Sequence, residues 1–313
     1  MVSFRQSTAA AAFLTLAPLF WAGNFVVARA LHADMPPVEL AFWRWAIALA
    51  ALAPFAWPGL WQYRRVIIRH WRYVVSLGAT GIAGFSTLLY AALTSTSSMN
   101  ALIFFAMSPA LITPISWALL RERLARRQAL GTLCSFAGAV LIITQGDPVA
   151  VVRNGFNPGD LVMLIAAPVW ALYTVLLKQR PPTLPQLPAL TASIGAGIVL
   201  LSPIYLWRVA AGEPVTPTSA TVLGLLYIAI CASALAFACW SRGIELVGPN
   251  RAGAYLHLTP VFGAILAFLL LDERLATYHM FGASLVGAGV LLANLTSREP
   301  HGRPIAIKSN PAE

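Results

Sequence analysis

Two pairs of residues combine aromatic faces with polar groups at a spacing that favours recognition chemistry. Trp21 and Asn24 lie three apart in one apolar stretch, and Trp170 and Tyr173 repeat that spacing in another. Residues three apart share a helix face. Indole and phenol faces stack on an aromatic ring, and the Asn24 amide offers a donor and an acceptor to the charged ends of an amino acid. The alternative is an interfacial aromatic belt. Depth argues against it, because Trp21 and Trp170 stand about half-way along their stretches. Tyr90, Asn100, Met107, Trp240 and Tyr255 extend the candidate lining; of these Tyr90, Asn100 and Trp240 lie near segment ends, where belts and caps are the ordinary explanation.

Two further side chains carry charge or protons inside apolar sequence. Arg44 stands about eight residues into the second stretch. A cation there costs about 2.5–3.5 kcal/mol on insertion scales, so it marks function by default. The alternatives are snorkelling to the interface, an ion pair with Glu39, five residues earlier, or bonds to helix-end carbonyls. His257 precedes Thr259-Pro260, and Met107 precedes Ser108-Pro109, so both flank helix breakers. An imidazole there binds a carboxylate, relays a proton, or sits neutral against a neighbouring helix. Proline frees carbonyls in a membrane helix, which permits either a hinge or a static kink.

Catalysis finds little support. The eleven Asp and Glu are scattered without the Asp-rich magnesium motifs of a prenyltransferase, and His257 has no evident acidic partner for a protease. Cys134, Cys231 and Cys239 lie in apolar segments without a Cys-x-x-Cys pair or a His cluster, so no metal site or disulfide framework is expected. No cofactor is called for.

The elements that must position these residues are membrane helices. Of 313 residues 58% are hydrophobic and 10% charged, against roughly 25% charged in a soluble domain. Ten apolar segments can be drawn, about 10–31, 36–57, 73–93, 98–119, 128–145, 159–178, 187–207, 219–241, 251–271 and 277–295, most near the ~20 residues needed to cross a bilayer. The first run is longer than the ~7–15 residues of a signal h-region and holds Trp21 and Asn24, so it reads as a retained helix. The longest connection, between the second and third segments, carries Arg64, Arg65, Arg69 and Arg72; the polar tail from Arg298 is expected to be disordered. Sixteen of the 21 Lys and Arg fall on one side and four on the other, which by the positive-inside rule puts both termini in the cytoplasm. The net charge of +10 therefore reflects loops facing the cytoplasm and not a nucleic-acid partner.

One stretch occurs twice. Pro109–Thr144 returns as Pro260–Leu295, 151 residues later without a gap. Leu119-Leu120-Arg121-Glu122-Arg123-Leu124-Ala125 matches Leu270-Leu271-Asp272-Glu273-Arg274-Leu275-Ala276, and Gly131 and Gly138 match Gly282 and Gly289. Five segments per half is odd, so the halves are expected to be inverted, residues 1–150 against 151–297, with 298–313 as the tail. The first turn is strongly basic and its copy is acidic, as opposite sides require. Inverted repeats build alternating-access transporters with a site near the midplane. The Glu-Arg turns suit helix dipoles and the glycines close helix approach, which makes this stretch scaffold.

The doubled Pro…Leu-Leu-x-Glu-Arg-Leu-Ala…Gly…Gly pattern, the opening Trp21-Ala-Gly-Asn-Phe-Val-Val-Ala-Arg29 and Trp43-Arg44-Trp45 resemble the EamA-type members of the drug/metabolite transporter superfamily. The resemblance covers about residues 10–295. It implies an all-α integral membrane fold of ten helices in two inverted five-helix repeats, in a bacterial inner membrane, as monomer or homodimer. The aromatic content is similar to that of bacterial aromatic amino-acid exporters of this group. That implies export of aromatic and other neutral amino acids and related metabolites through a central cavity. With no deep carboxylate in the first helix, facilitated diffusion is the expectation, and broad proton-coupled drug efflux the alternative.

Overall fold

The computed structural model describes residues 4–31, 34–122, 124–147, 149, 153, 157–212, 218–271 and 276–294. Arg123, the Asp272–Leu275 turn and the tail from Arg298 lie outside them. Among the described residues every regular element is a helix. In chain order these are α1 (Phe4–Leu31), α2 (Pro37–Gln62), α3 (Trp71–Leu93), α4 (Asn100–Leu120), α5 (Arg126–Ile143), α6 (Pro158–Gln179), α7 (Gln186–Ala210), α8 (Ser219–Val247), α9 (Leu258–Leu271) and α10 (Thr277–Asn294). By length and composition seven of them, α1–α4 and α6–α8, can cross a membrane. Of the others, α5 and α10 span 18 residues each and α9 spans 14.

Local sequence explains where helices begin. Pro37 opens α2, its missing N–H costing nothing in the first turn. Asn157 caps α6 by accepting from the Asp160 amide, and the Asp160 carboxylate returns the bond to the Asn157 N–H. Thr218 Oγ1 accepts from Thr221 N ahead of α8 in the same way. The basic connection expected between α2 and α3 is helical instead: α2 runs on to Gln62 and a short helix covers Arg64–Arg69. No Gly, Pro, Asn, Asp or Ser stands between Leu60 and Ser76, so nothing there favours a turn.

The repeats depart from regular helix at matching places. A π-helical stretch interrupts α3 at Gly78–Gly84 and α8 at Ile228–Leu235. The α4 ladder breaks at Met107, ahead of Pro109. The ninth segment, expected to be continuous over 251–271, divides into a helix Pro249–Gly253, a 3-10 turn Ala254–His257, and α9. Pro260 explains that division, since it cannot donate to the carbonyl four residues back.

Packing carries the repeat into three dimensions. α2 lies on α7 and α5 on α10, each helix against its own counterpart, while α1 on α8 is matched by α6 on α3. At the α5–α10 seam a Cβ on Gly131 would stand 2.4 Å from Ala293 N, and one on Gly138 would stand 2.5 Å from Gly282 O. Gly131 also faces Gly289 and Gly138 faces Gly282, so advancing along α5 means retreating along α10. The two helices run antiparallel in backbone contact, and the two copies of the doubled stretch point in opposite directions. A Gly138→Leu substitution is expected to lower the thermal transition of the detergent-solubilised protein by several degrees, overpacking costing about 1–3 kcal/mol. Gly287, with nothing within 4 Å of its Cβ position, is the control: the same change there should leave the transition in place, and equal shifts at both would contradict the seam.

Candidate functional site

The opening helices of the two repeats meet at the centre of the bundle. The Trp21 and Trp170 indoles stand perpendicular, edge to face, with centroids 5.0 Å apart. Trp21 also meets Phe237 at 5.7 Å and Trp240 at 5.4 Å, both on α8. Trp170 meets Phe85 of α3 at 4.7 Å, Tyr173 at 5.3 Å and Phe105 of α4 at 5.7 Å. All of these rings are buried. Each such contact adds about 0.5–1.5 kcal/mol beyond the area it buries, so the rings form one mutually braced box.

A polar cluster closes one side of the box. Arg44 is only 2% exposed. Its Nε donates to Ser233 Oγ at 2.7 Å, Nη2 to the Ala232 carbonyl at 3.3 Å, and Nη1 to the Tyr90 hydroxyl. The Tyr90 hydroxyl donates in turn to Asn24 Oδ1 at 3.1 Å. The Ala232 carbonyl, in the π-helical part of α8, also accepts from Trp21 Nε1 at 3.0 Å. π-helical turns recur at functional sites, and here one supplies both acceptors that α8 gives to Arg44. The void bounded by Trp21, Asn24, Arg44, Phe85, Phe105 and Trp170 has room for about one water molecule. An amino acid enters it only if the rings part.

Ion pairs join the helices beyond the box. Glu39 of α2 accepts from Arg208 Nε of α7 at 2.7 Å. Glu245 of α8 takes Arg180, just past α6, at 2.5 Å, and Arg242 at 2.7 Å. The buried Asp160 carboxylate receives Thr96 Oγ1 at 2.5 Å and Asn100 Nδ2 at 3.2 Å, tying α6 to the α3–α4 connection.

The sequence matches the EamA-like transporter family over residues 8–144 and again over 157–295. The chain belongs to the EamA-like transporter family. An uncharacterized transporter of Archaeoglobus fulgidus is 31% identical over 293 residues, covering 89% of this chain and 95% of that protein. The uncharacterized transporter YyaM of Bacillus subtilis is 27% identical, covering 90% and 92%. Protein PecM of Dickeya dadantii is 25% identical over 241 residues, covering 75% and 78%. A solved crystal structure shares the fold, with a TM-score of 0.72 at 21% identity, covering 91% of this chain and 96% of the other. The EamA match, its relatives and the apolar helices make this a multi-pass membrane transporter.

Within the EamA fold the expected lining residues separate into groups. Trp21, Asn24, Tyr90, Trp170, Tyr173 and Trp240 converge on the box and its polar side. Asn100 is instead engaged with Asp160, and Met107 is 39% exposed at the break in α4. Tyr255 and His257 are buried in the 3-10 turn before α9. His257 bonds Ala106 O at 2.9 Å and Ser135 Oγ at 2.6 Å, so it faces α4 and α5. Of the alternatives for Arg44, the pair with Glu39 is not made: Glu39 reaches Arg208 on α7, and Arg44 turns inward to α3 and α8. Phe25, Phe85, Phe105, Phe237 and Ser233 were not among the expected residues. Spacing could have found two of them, since Phe25 is four past Trp21 and Phe237 three before Trp240.

Proposed function

We propose that this EamA chain exports small amphipathic metabolites, most plainly aromatic and other neutral amino acids, by alternating access. In this reading ten helices cross a bacterial inner membrane as two inverted repeats, 1–150 and 151–297, with both termini cytoplasmic. The observation that carries it is the box itself: Trp21 and Trp170, from equivalent helices, face each other beside a buried Arg44–Tyr90–Asn24 cluster. Ring faces suit an aromatic or aliphatic side chain, and the polar side suits the charged end. Facilitated diffusion fits better than proton coupling. Among the described residues the two buried acids, Glu39 and Asp160, are held by Arg208 and by Thr96, Asn100 and Asn157, away from the box.

Purified protein in liposomes preloaded with unlabelled tryptophan should accelerate uptake of labelled tryptophan or phenylalanine well above protein-free vesicles. That flux should persist when the proton gradient is collapsed. An absence of amino-acid flux across a panel of aromatic and aliphatic substrates would overturn the reading.

A further inference from the structure

We infer that Arg44 is the anchor for a substrate carboxylate, and that the site selects amphipathic carboxylates whether or not they carry an ammonium group. This rests on the transport reading and sharpens its substrate class. The guanidinium is always charged and has five N–H donors. Three are used, all on neutral acceptors: Ser233 Oγ, Tyr90 Oη and Ala232 O. One N–H on each terminal nitrogen has no acceptor among the described residues. Its charge meets only neutral groups, those three acceptors and the ring faces of Trp45 and Tyr90, 4.9 and 5.4 Å from the guanidinium carbon, and no carboxylate among the described residues is bonded to it. A carboxylate matches that charge, and charged, two-pronged bonds to arginine are the strong ones.

Independent groups around the same void point the same way. Trp170, fully buried, has an Nε1–H without an acceptor. Asn24 spends its oxygen on Tyr90, and its Nδ2 donors find no acceptor among the described residues. The capacity left over at Arg44, Trp170 and Asn24, which line the void, is mostly donor capacity, and an ionised carboxylate is acceptor-only. The opposite demand is missing: no Asp or Glu among the described residues lines the void to pair with an ammonium. An amino acid's ammonium finds ring faces and the second lone pair of Asn24 Oδ1 there, whereas its carboxylate finds a cation and several N–H groups.

The test is competition against labelled phenylalanine flux in proteoliposomes. Phenyllactate keeps the ring and carboxylate and replaces the ammonium with a hydroxyl; phenylalaninamide keeps the ammonium and removes the carboxylate. At tenfold excess phenyllactate should cut flux by more than half, and phenylalaninamide should leave it nearly unchanged. Arg44→Gln should lower flux at least tenfold, with Arg44→Lys intermediate, in variants that keep the wild-type elution and thermal transition. Effective competition by phenylalaninamide, or none by phenyllactate, overturns the anchor while leaving amino-acid transport intact. Flux of labelled phenyllactate without phenylalanine flux would support the anchor and overturn the amino-acid reading. Flux of neither overturns both.

Discussion

Replacing Trp170 with alanine is expected to change which substrates move as well as how fast. The indole is fully buried and touches Trp21, Phe85, Phe105, Tyr173, Phe237 and Trp240. Trp→Ala in a packed core costs about 3–5 kcal/mol, so a lower thermal transition is expected whatever the box does. The informative readout is the ratio of tryptophan to leucine flux in the same preparation, which does not depend on how much protein folds. If the rings grip an aromatic side chain, losing one face removes about 1.4 kcal/mol of preference, or roughly a tenfold fall in that ratio. Trp170→Phe keeps a ring and should keep most of the ratio. An unchanged ratio in the alanine variant would mean that the box is a hydrophobic core and the cargo passes elsewhere.

The architecture was legible because it is written twice. The 151-residue offset paired Gly131 with Gly282 and Gly138 with Gly289, and the structure crosses those pairs at the α5–α10 seam. Trp21 and Trp170 occupy corresponding positions, and their rings meet. Trp21, Asn24, Arg44, Trp170 and Tyr173 stand out in the sequence because polar and amphipathic groups deep in an apolar segment are rare. Phe85, Phe105 and Phe237 carried no such signal, being three phenylalanines among fifteen in an apolar chain. The π-helical stretches also left no trace, since periodicity does not distinguish a slightly wider turn over seven or eight residues. The partners of Arg44 were out of reach for another reason. Ser233 is 189 residues away in sequence, and only tertiary packing brings it near.

His257 yields the second large expected effect. Its Nε2 lies 2.9 Å from the carbonyl of Ala106, its counterpart 151 residues earlier. A carbonyl only accepts, so Nε2 carries the hydrogen. That carbonyl is open to it because the Ala110 amide bonds Met107 O, at 3.0 Å, where α4 breaks. Nδ1 meets Ser135 Oγ at 2.6 Å, and the hydroxyl can donate to it. One imidazole thus ties the break ahead of α9 to the break in α4 and to α5, across the two repeats. His257→Ala strands a buried carbonyl, at about 1–3 kcal/mol, and empties the space of a ring, so a marked fall in thermal stability is expected. Glutamine can donate to Ala106 and accept from Ser135, and His257→Gln should recover most of that loss. Its amino-acid flux should match wild type, with and without an imposed proton gradient. If the glutamine variant is stable but loses an acceleration that the gradient gives to wild type, then the imidazole carries a proton during transport. The tie between the breaks would in that case hold in both protonation states, since Nε2–H keeps the Ala106 carbonyl and Ser135 turns from donor to acceptor as Nδ1 gains its hydrogen.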